Sequence, residues 1–277
     1  MKFSRFTLPA KAISYVWLGL LAVGVLFPIA WLTVSVFKNS GDIIGDPMSL
    51  PKSLNFDNIV NAWTTGNFGQ LYINSAIVTV VSVTGILVLE GMAAYAFARM
   101  KFRGASILFA IFVAGQLVPA QAIVLPSALE ISALGLSDTL VSLILQYLSW
   151  APFAVLFLRA AFMAVPRELE EAARIDGAGL FTILFRIILP MTKSAFATVG
   201  TIYALWIWND FLFPLVYLHS PENFTVPLGL ASFQGNFTVF WGYLVGAIFV
   251  SVWPPLLVYG LLSRQIQDRL SFAGSKG

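Results

Sequence analysis

Apolar residues in this chain fall in long, nearly unbroken runs, unlike the one-sided stripes of helices that face water. Six runs are of the length, about 20 residues, that crosses a bilayer as a helix. They are Ala12–Phe37, Leu71–Ala98, Ala105–Leu125, Thr139–Phe162, Ser194–Leu218 and Thr238–Leu262. Inside lipid a segment must bond its own backbone polar groups, so the pattern predicts six transmembrane helices and an all-α integral membrane fold. The first run is too long for a cleaved leader, and Lys38-Asn39-Ser40 after it lacks a small-x-small cleavage site.

Between the fourth and fifth runs the periodicity changes. Pro166 and the carboxylates Glu168, Glu170 and Glu171 suit a helix start, and Gly177 suits the left-handed residue after a helix end. A short helix is predicted from Arg167 to Asp176, with Leu169, Ala172, Ala173 and Asp176 on one mostly small face. Arg167, Glu170, Glu171 and Arg174 share the opposite face, where Glu170 and Arg174 form a favourable i,i+4 pair. A second amphipathic turn follows, with Phe181, Leu184, Phe185 and Ile188, and Pro190 closes it before the fifth run.

Composition sharpens the membrane reading. The 277 residues are 58% hydrophobic and 10% charged, with a mean hydropathy of +0.85. Soluble domains carry about 25% charged residues, so this chain lacks the polar surface to cover a globule in water. One membrane domain over residues 1–277 is expected. There is no cysteine and one histidine, His219, which excludes disulfides, Cys-based metal sites and a Cys nucleophile. No basic run with interleaved aromatics points to nucleic acid.

Fourteen of the sixteen Lys and Arg residues lie in the N-terminal segment, the second–third and fourth–fifth connections and the C-terminal segment, leaving Lys38 and Lys52 on the other side. The positive-inside rule therefore puts both termini in the cytoplasm. Trp17, Trp31, Trp63, Trp150 and Trp241 lie near run ends or in loops, where interfacial anchoring accounts for them. The segment from Pro166 to Gly177 carries two Arg and four acidic residues, a net of −2. Anionic lipid surfaces attract basic segments, so this helix is not a lipid-binding one. A solvated connection and a protein-docking site are the two readings left by the residues alone.

Glu171-Ala172-Ala173-Arg174-Ile175-Asp176-Gly177-Ala178, followed by Ile187-Ile188-Leu189-Pro190, resembles the cytoplasmic signature of binding-protein-dependent ABC importer permeases. Tyr95-Ala96-Phe97-Ala98-Arg99, Trp208-Asn209-Asp210-Phe211-Leu212-Phe213-Pro214-Leu215 and the closing Gly274-Ser275-Lys276-Gly277 resemble the carbohydrate branch, in particular the shorter six-span permease of maltose-type systems. The resemblance implies a type I importer fold in a bacterial inner membrane, importing a sugar or oligosaccharide. It implies that Glu171, Ala172, Ala173, Asp176, Gly177 and Ala178 form a coupling helix on a cytoplasmic ATPase dimer, with Lys276 and Gly277 also touching it. A second, non-identical permease subunit and an extracytoplasmic solute-binding protein are the other implied partners. ATP and Mg would belong to the ATPase, and no cofactor to this chain. The chain has no G-x-x-x-x-G-K-[ST] loop to cradle phosphates, which agrees.

Polar groups within runs are costly and so are candidates for the pathway. Asp210, with Asn209, Trp206, Trp208 and Phe213 around it, could hold a sugar, the aromatic faces covering its C–H face and the polar groups meeting its hydroxyls. Hydrogen bonding of Asn209 and Asp210 across a subunit interface, or to backbone freed by Pro214, is the alternative and suits Asp210 better. Gln116 and Gln121 bracket Pro119 and suggest a kinked third helix turning polar groups to a cavity, with interhelical bonding as the other option. Glu90, about eight residues before the cytoplasmic end of the second run, could be protonated, paired with a basic group or turned to a water-filled pathway, and its role is open. His219 is expected to be solvated in a loop. Gly19, Gly24, Gly85, Gly91, Gly246 and Gly260 suit close helix packing. Other readings are a permease for a polyol or glycerol-phosphate, and an ion-coupled secondary transporter using Glu90 and Asp210. The latter predicts matching broken repeats, and none is visible. An enzyme is not expected, since no G-x-S-x-G or H-E-x-x-H constellation occurs.

Overall fold

The computed structural model of the chain describes residues 8–149, 151–236 and 241–273. These residues form helices and connections, with no strand among them. The first apolar run is α1 (Leu8–Ser35), followed by two short helices, α2 (Ser40–Gly45) and α3 (Asp57–Thr65), and by the 32-residue α4 (Phe68–Arg99). The third run is not one helix. It breaks into α5 (Ala105–Gly115) and α6 (Ala120–Ala133), bent by 101°. Pro119 has no N–H to continue the helix and disfavours helical geometry at Val118; its own ψ of 142° is extended. The expected kink at Pro119 is thus a bend of slightly more than a right angle. The fourth run is α7 (Leu140–Ser149) and α8 (Pro152–Met163), bent by 47° across a break containing Trp150, which lies outside the described residues.

Next come α9 (Arg167–Ile175), α10 (Leu180–Ile183), a π-helical turn over Leu184–Ile188 and α11 (Leu189–Asn209). Leu180–Asn209 runs on as one apolar helix, so Pro190 does not end it. A proline inside a helix lacks a donor and crowds the carbonyl four residues back; the wider π turn just before Pro190 relieves that crowding. The turn also rotates the stripe expected from the sequence. Ile183, Leu184 and Ile188 are buried, whereas Phe181 and Phe185 are exposed. The chain continues through α12 (Leu212–Tyr217), a 3-10 turn at Pro221–Asn223 and α13 (Val226–Asn236) to α14 (Trp241–Ala273), whose apolar part is Trp241–Leu257. Three helices among the described residues are long and apolar enough to cross a membrane unbroken, and five spans result if each bent pair counts as one. The sixth expected run begins at residues 238–240, outside the described residues.

Contacts group the chain into two units. The first contains α1, α2, α3 and α14 up to Pro254. Its buried centre is Val36, Ile43 and Val245, with Leu32, Ile59 and Phe249 against it. The Asn58 amide donates to the carbonyls of Val36 and Lys38 at 2.8 and 2.7 Å. Gly246 lets α14 approach Asn58, since a Cβ there would collide with the Asn58 carbonyl.

The second unit spans residues 70–228 and 255–271. Its core includes Ile86, Leu143, Leu158, Phe162, Ile188 and Val199, each fully buried. Lipid is as apolar as these side chains, so close fit and not escape from water holds the helices together. A Cβ on Gly91 would lie 3.2 Å from Phe196, one on Gly200 would lie 3.3 Å from Leu87, and Gly85 has no room beside Leu148. Gly19 and Gly24 depart from the expectation, since nothing lies within 4 Å of a Cβ at either.

Candidate functional site

Two features of the second unit carry polar chemistry. The first is a cavity of about 540 Å³ bordered by the break in the third run, α7, the start of α8 and the end of α11. That size lies in the range of small-molecule sites. Gln116, Gln121, Trp206, Asn209, Asp210 and Phe213, widely spaced in the sequence, all line it. Tyr147, Tyr203 and Pro152 line it as well. Gln116 and Gln121 flank the 101° bend at Pro119, and both border the cavity.

Asp210 caps α11 in extended geometry, with φ −68° and ψ 132°. Its carboxylate accepts the Tyr147 hydroxyl at 2.6 Å and the Leu212 N–H at 3.0 Å. It therefore ties α7 to the junction of α11 and α12 within this chain, through Tyr147 and the Leu212 amide. Asn209 donates to the Leu205 carbonyl at 2.8 Å and is among the residues that line the cavity. Aromatic rings support the wall: Tyr203 and Trp206 centroids are 5.4 Å apart, and Tyr147 meets Phe213 edge-on at 6.1 Å. Trp206 is half exposed.

Trp208 does not line the cavity; its ring packs against Tyr72 at 5.9 Å. Two residues on from Trp206, it projects about 200° around the helix. Glu90 is buried on α4 and also stands apart from the cavity lining. His219 gives its backbone N–H to Asp138, which also accepts the Ser220 N–H and hydroxyl and the Asn223 amide. The Ser220 hydroxyl, followed by the His219 and Ser220 amides and Asn223, holds the Asp138 carboxyl far below the usual carboxylate range. Tyr147 and Tyr203 escaped the sequence reading. The signal available was a phenol within an apolar run, which needs a polar partner or cavity.

The second feature is α9. Gly177 takes φ +83°, and the Gly177 and Ala178 amides donate to the carbonyls of Arg174 and Ala173 at 3.0 and 2.9 Å. This is the paired closure of a left-handed glycine cap. The face division differs from that expected. Glu170 is buried, and its Oε1 lies 2.8 Å from Arg99 Nε, so it does not serve as a surface partner of Arg174. Ala173 and Ala178 pack against the core. Glu171, Ala172, Asp176 and Gly177 are exposed, together with Ile175 at 86%. Ile175 and Arg99 were not among the expected site residues. Lys276 and Gly277 lie outside the described residues.

Apolar helices bordering a cavity of aromatic and amide side chains, with a capped charged helix set between two membrane stretches, fit a multi-pass membrane transport component. Residues 91–271 match the family described as "Binding-protein-dependent transport system inner membrane component", and the chain belongs to that family. The fold is that of the type I ABC importer permeases. The chain is 35% identical over 263 residues to the diacetylchitobiose uptake system permease protein NgcG of Streptomyces coelicolor, covering 94% of this chain and 87% of that protein. It is 35% identical over 256 residues to the multiple sugar-binding transport system permease protein MsmG of Streptococcus mutans, covering 87% and 92%. A crystal structure of a bacterial ABC transporter involved in the import of the acidic polysaccharide alginate contains a chain of the same fold. It has a TM-score of 0.83 at 23% identity and covers 95% of this chain and 98% of that one. The family resemblance carried by Glu171–Ala178 is thereby borne out.

Proposed function

We propose that this chain is the pathway-forming permease subunit of an ATP-driven importer for neutral sugars or short oligosaccharides. The cavity's lining carries the reading. Tyr147, Tyr203, Trp206 and Phe213 offer ring faces for the apolar C–H face of a sugar, while Gln116, Gln121 and Asn209 offer donors and acceptors for its hydroxyls. Among the described residues no Lys or Arg lines the cavity, and the one charged group there is the Asp210 carboxylate. Phosphate and carboxylate groups are held by Arg or Lys, so glycerol-phosphate and acidic sugars fit this lining poorly. The sugar-related names of NgcG and MsmG support the carbohydrate reading.

Both chain termini and α9 face the cytoplasm in this reading, by the distribution of Lys and Arg. The exposed Glu171, Ala172, Ile175, Asp176 and Gly177 dock on a separate ATPase, which binds ATP and Mg. A second permease subunit completes the pathway, and a solute-binding protein delivers sugar to the opposite side. ATP-driven closure of the ATPase then moves α9 and alternates access to the cavity. The test is reconstitution in proteoliposomes with the binding protein, second permease and ATPase. ATP-dependent uptake of a labelled neutral oligosaccharide is expected, and an equimolar uronate oligosaccharide should not compete. Effective competition by the uronate would refute the neutral-sugar reading.

A further inference from the structure

The Arg99–Glu170 pair is buried where nothing in the docking reading requires it. Side-chain exposure is 4% for Arg99 and 6% for Glu170, and Nε and Oε1 stand 2.8 Å apart. Their contact lacks the alignment of a hydrogen bond, so it is chiefly Coulombic. The Tyr95 hydroxyl is 3.4 Å from the other oxygen, Oε2. Burying two charges forfeits hydration that their attraction only roughly recovers, so such a pair is a poor source of stability. Its position suggests another use.

Arg99 is the last residue of α4, and its Nη2 also donates to the carbonyls of Phe162 and Val165 at 2.5 Å each. These carbonyls lie at the end of α8 and just before α9. One planar guanidinium, with its donors in a fixed fork, therefore holds three elements at once. Arg159 adds a second tie from α8 to the Phe97 carbonyl of α4, at 3.2 Å. Beside the pair, α4 and α9 part into a cleft of about 460 Å³ lined by Met100, Lys101, Arg167, Glu171 and Arg174. The ion pair bridges elements that otherwise separate there.

We propose that Arg99 and Glu170 form a strut that stays closed through the transport cycle and passes displacement of α9 to the α4–α8 block. The inference rests on α9 being the ATPase-docking helix. Pro152, at the far end of α8, borders the cavity, roughly 17 Å along the helix from Met163. A push on α9 thus reaches the cavity wall through one helix. Both residues are positioning residues, and neither touches solute.

Two measurements on the complete reconstituted transporter test the strut. The chain has no cysteine, so spin labels can be placed at Glu168→Cys and Met100→Cys, both exposed positions outside the pair. The distance between labels should be the same in nucleotide-free and ATP-trapped complexes; a change of about one helical turn, ~5 Å, overturns the proposal. Glu170→Gln keeps the shape and removes the charge. It should still insert and co-purify with the ATPase, retain basal hydrolysis, and lose on the order of tenfold in sugar imported per ATP hydrolysed. A merely structural pair would lower the amount of inserted protein and leave that ratio unchanged, which also overturns the proposal. Should this variant fail to insert, the label distances alone decide. Failure of the docking reading has a different signature: exposed substitutions at Gly177 would leave uptake intact, whatever the labels report.

Discussion

Substitution of Gly177 separates the geometry of the α9 cap from its chemistry. The residue sits at φ +83°, and no heavy atom lies within 4 Å of a Cβ built there, so within this chain the cost of a side chain is that of the backbone alone. An L-residue in the left-handed region costs about 1–2 kcal/mol, while Asn and Asp tolerate it better. With Ala near the lower figure and Val at or above the upper one, the closed-to-open ratio of the cap falls by about five- to thirtyfold. The amides of Gly177 and Ala178 would lose their bonds to Arg174 and Ala173 in the opened form. Uptake per inserted copy in proteoliposomes, normalised to ATPase retained on the complex, is the assay. Glycine should exceed Asn, Asn should exceed Ala, and Ala should exceed Val. Gly177→Asp should fall below Asn, because it adds charge beside Asp176 and Glu171 at the docking face. Uptake by Gly177→Val equal to that of the native chain would refute the argument.

Trp206→Ala should raise the half-saturating sugar concentration roughly two- to tenfold, the value of one aromatic contact, whereas Trp208→Ala should leave it unchanged and lower the amount of folded protein through lost packing on Tyr72. Equal effects on half-saturation would contradict the cavity assignment. Tyr147→Phe deprives the Asp210 carboxylate of its 2.6 Å donor; a melting point in detergent unchanged from native would contradict the expected loss of about 1–3 kcal/mol. For Asp138 the folded carboxyl titrates below its ordinary value. Its contribution is therefore complete above the unfolded value of about 3.9 and lost only as pH falls below it toward the folded one. Melting of Asp138→Ala should accordingly lie below native by a constant margin between about pH 5 and 8, and a margin that closes within that window would contradict the assignment.

The apolar runs, α9 and its glycine cap were legible along the chain because each is a local property. Hydrophobic length sets where a helix can cross lipid, and a glycine followed by closure of the helix carbonyls needs only neighbours in sequence. The family could be read for the same reason, since Glu171–Ala178 and Leu189-Pro190 are contiguous. What periodicity cannot supply is the direction a face points. It grouped Glu170 with Glu171 and Arg174, but only the arrival of Arg99 from the end of α4 makes Glu170 an interior residue and leaves Ile175 outside. Trp206 and Trp208 are equally aromatic in sequence, and the packing of α11 on its neighbours sends one to the cavity and the other to Tyr72. Pro119 announced a bend, yet its 101° size could not be read from the sequence. Tertiary structure decides such matters because a membrane interior offers no strong preference between apolar surfaces, so the few close contacts and buried polar pairs determine which faces meet.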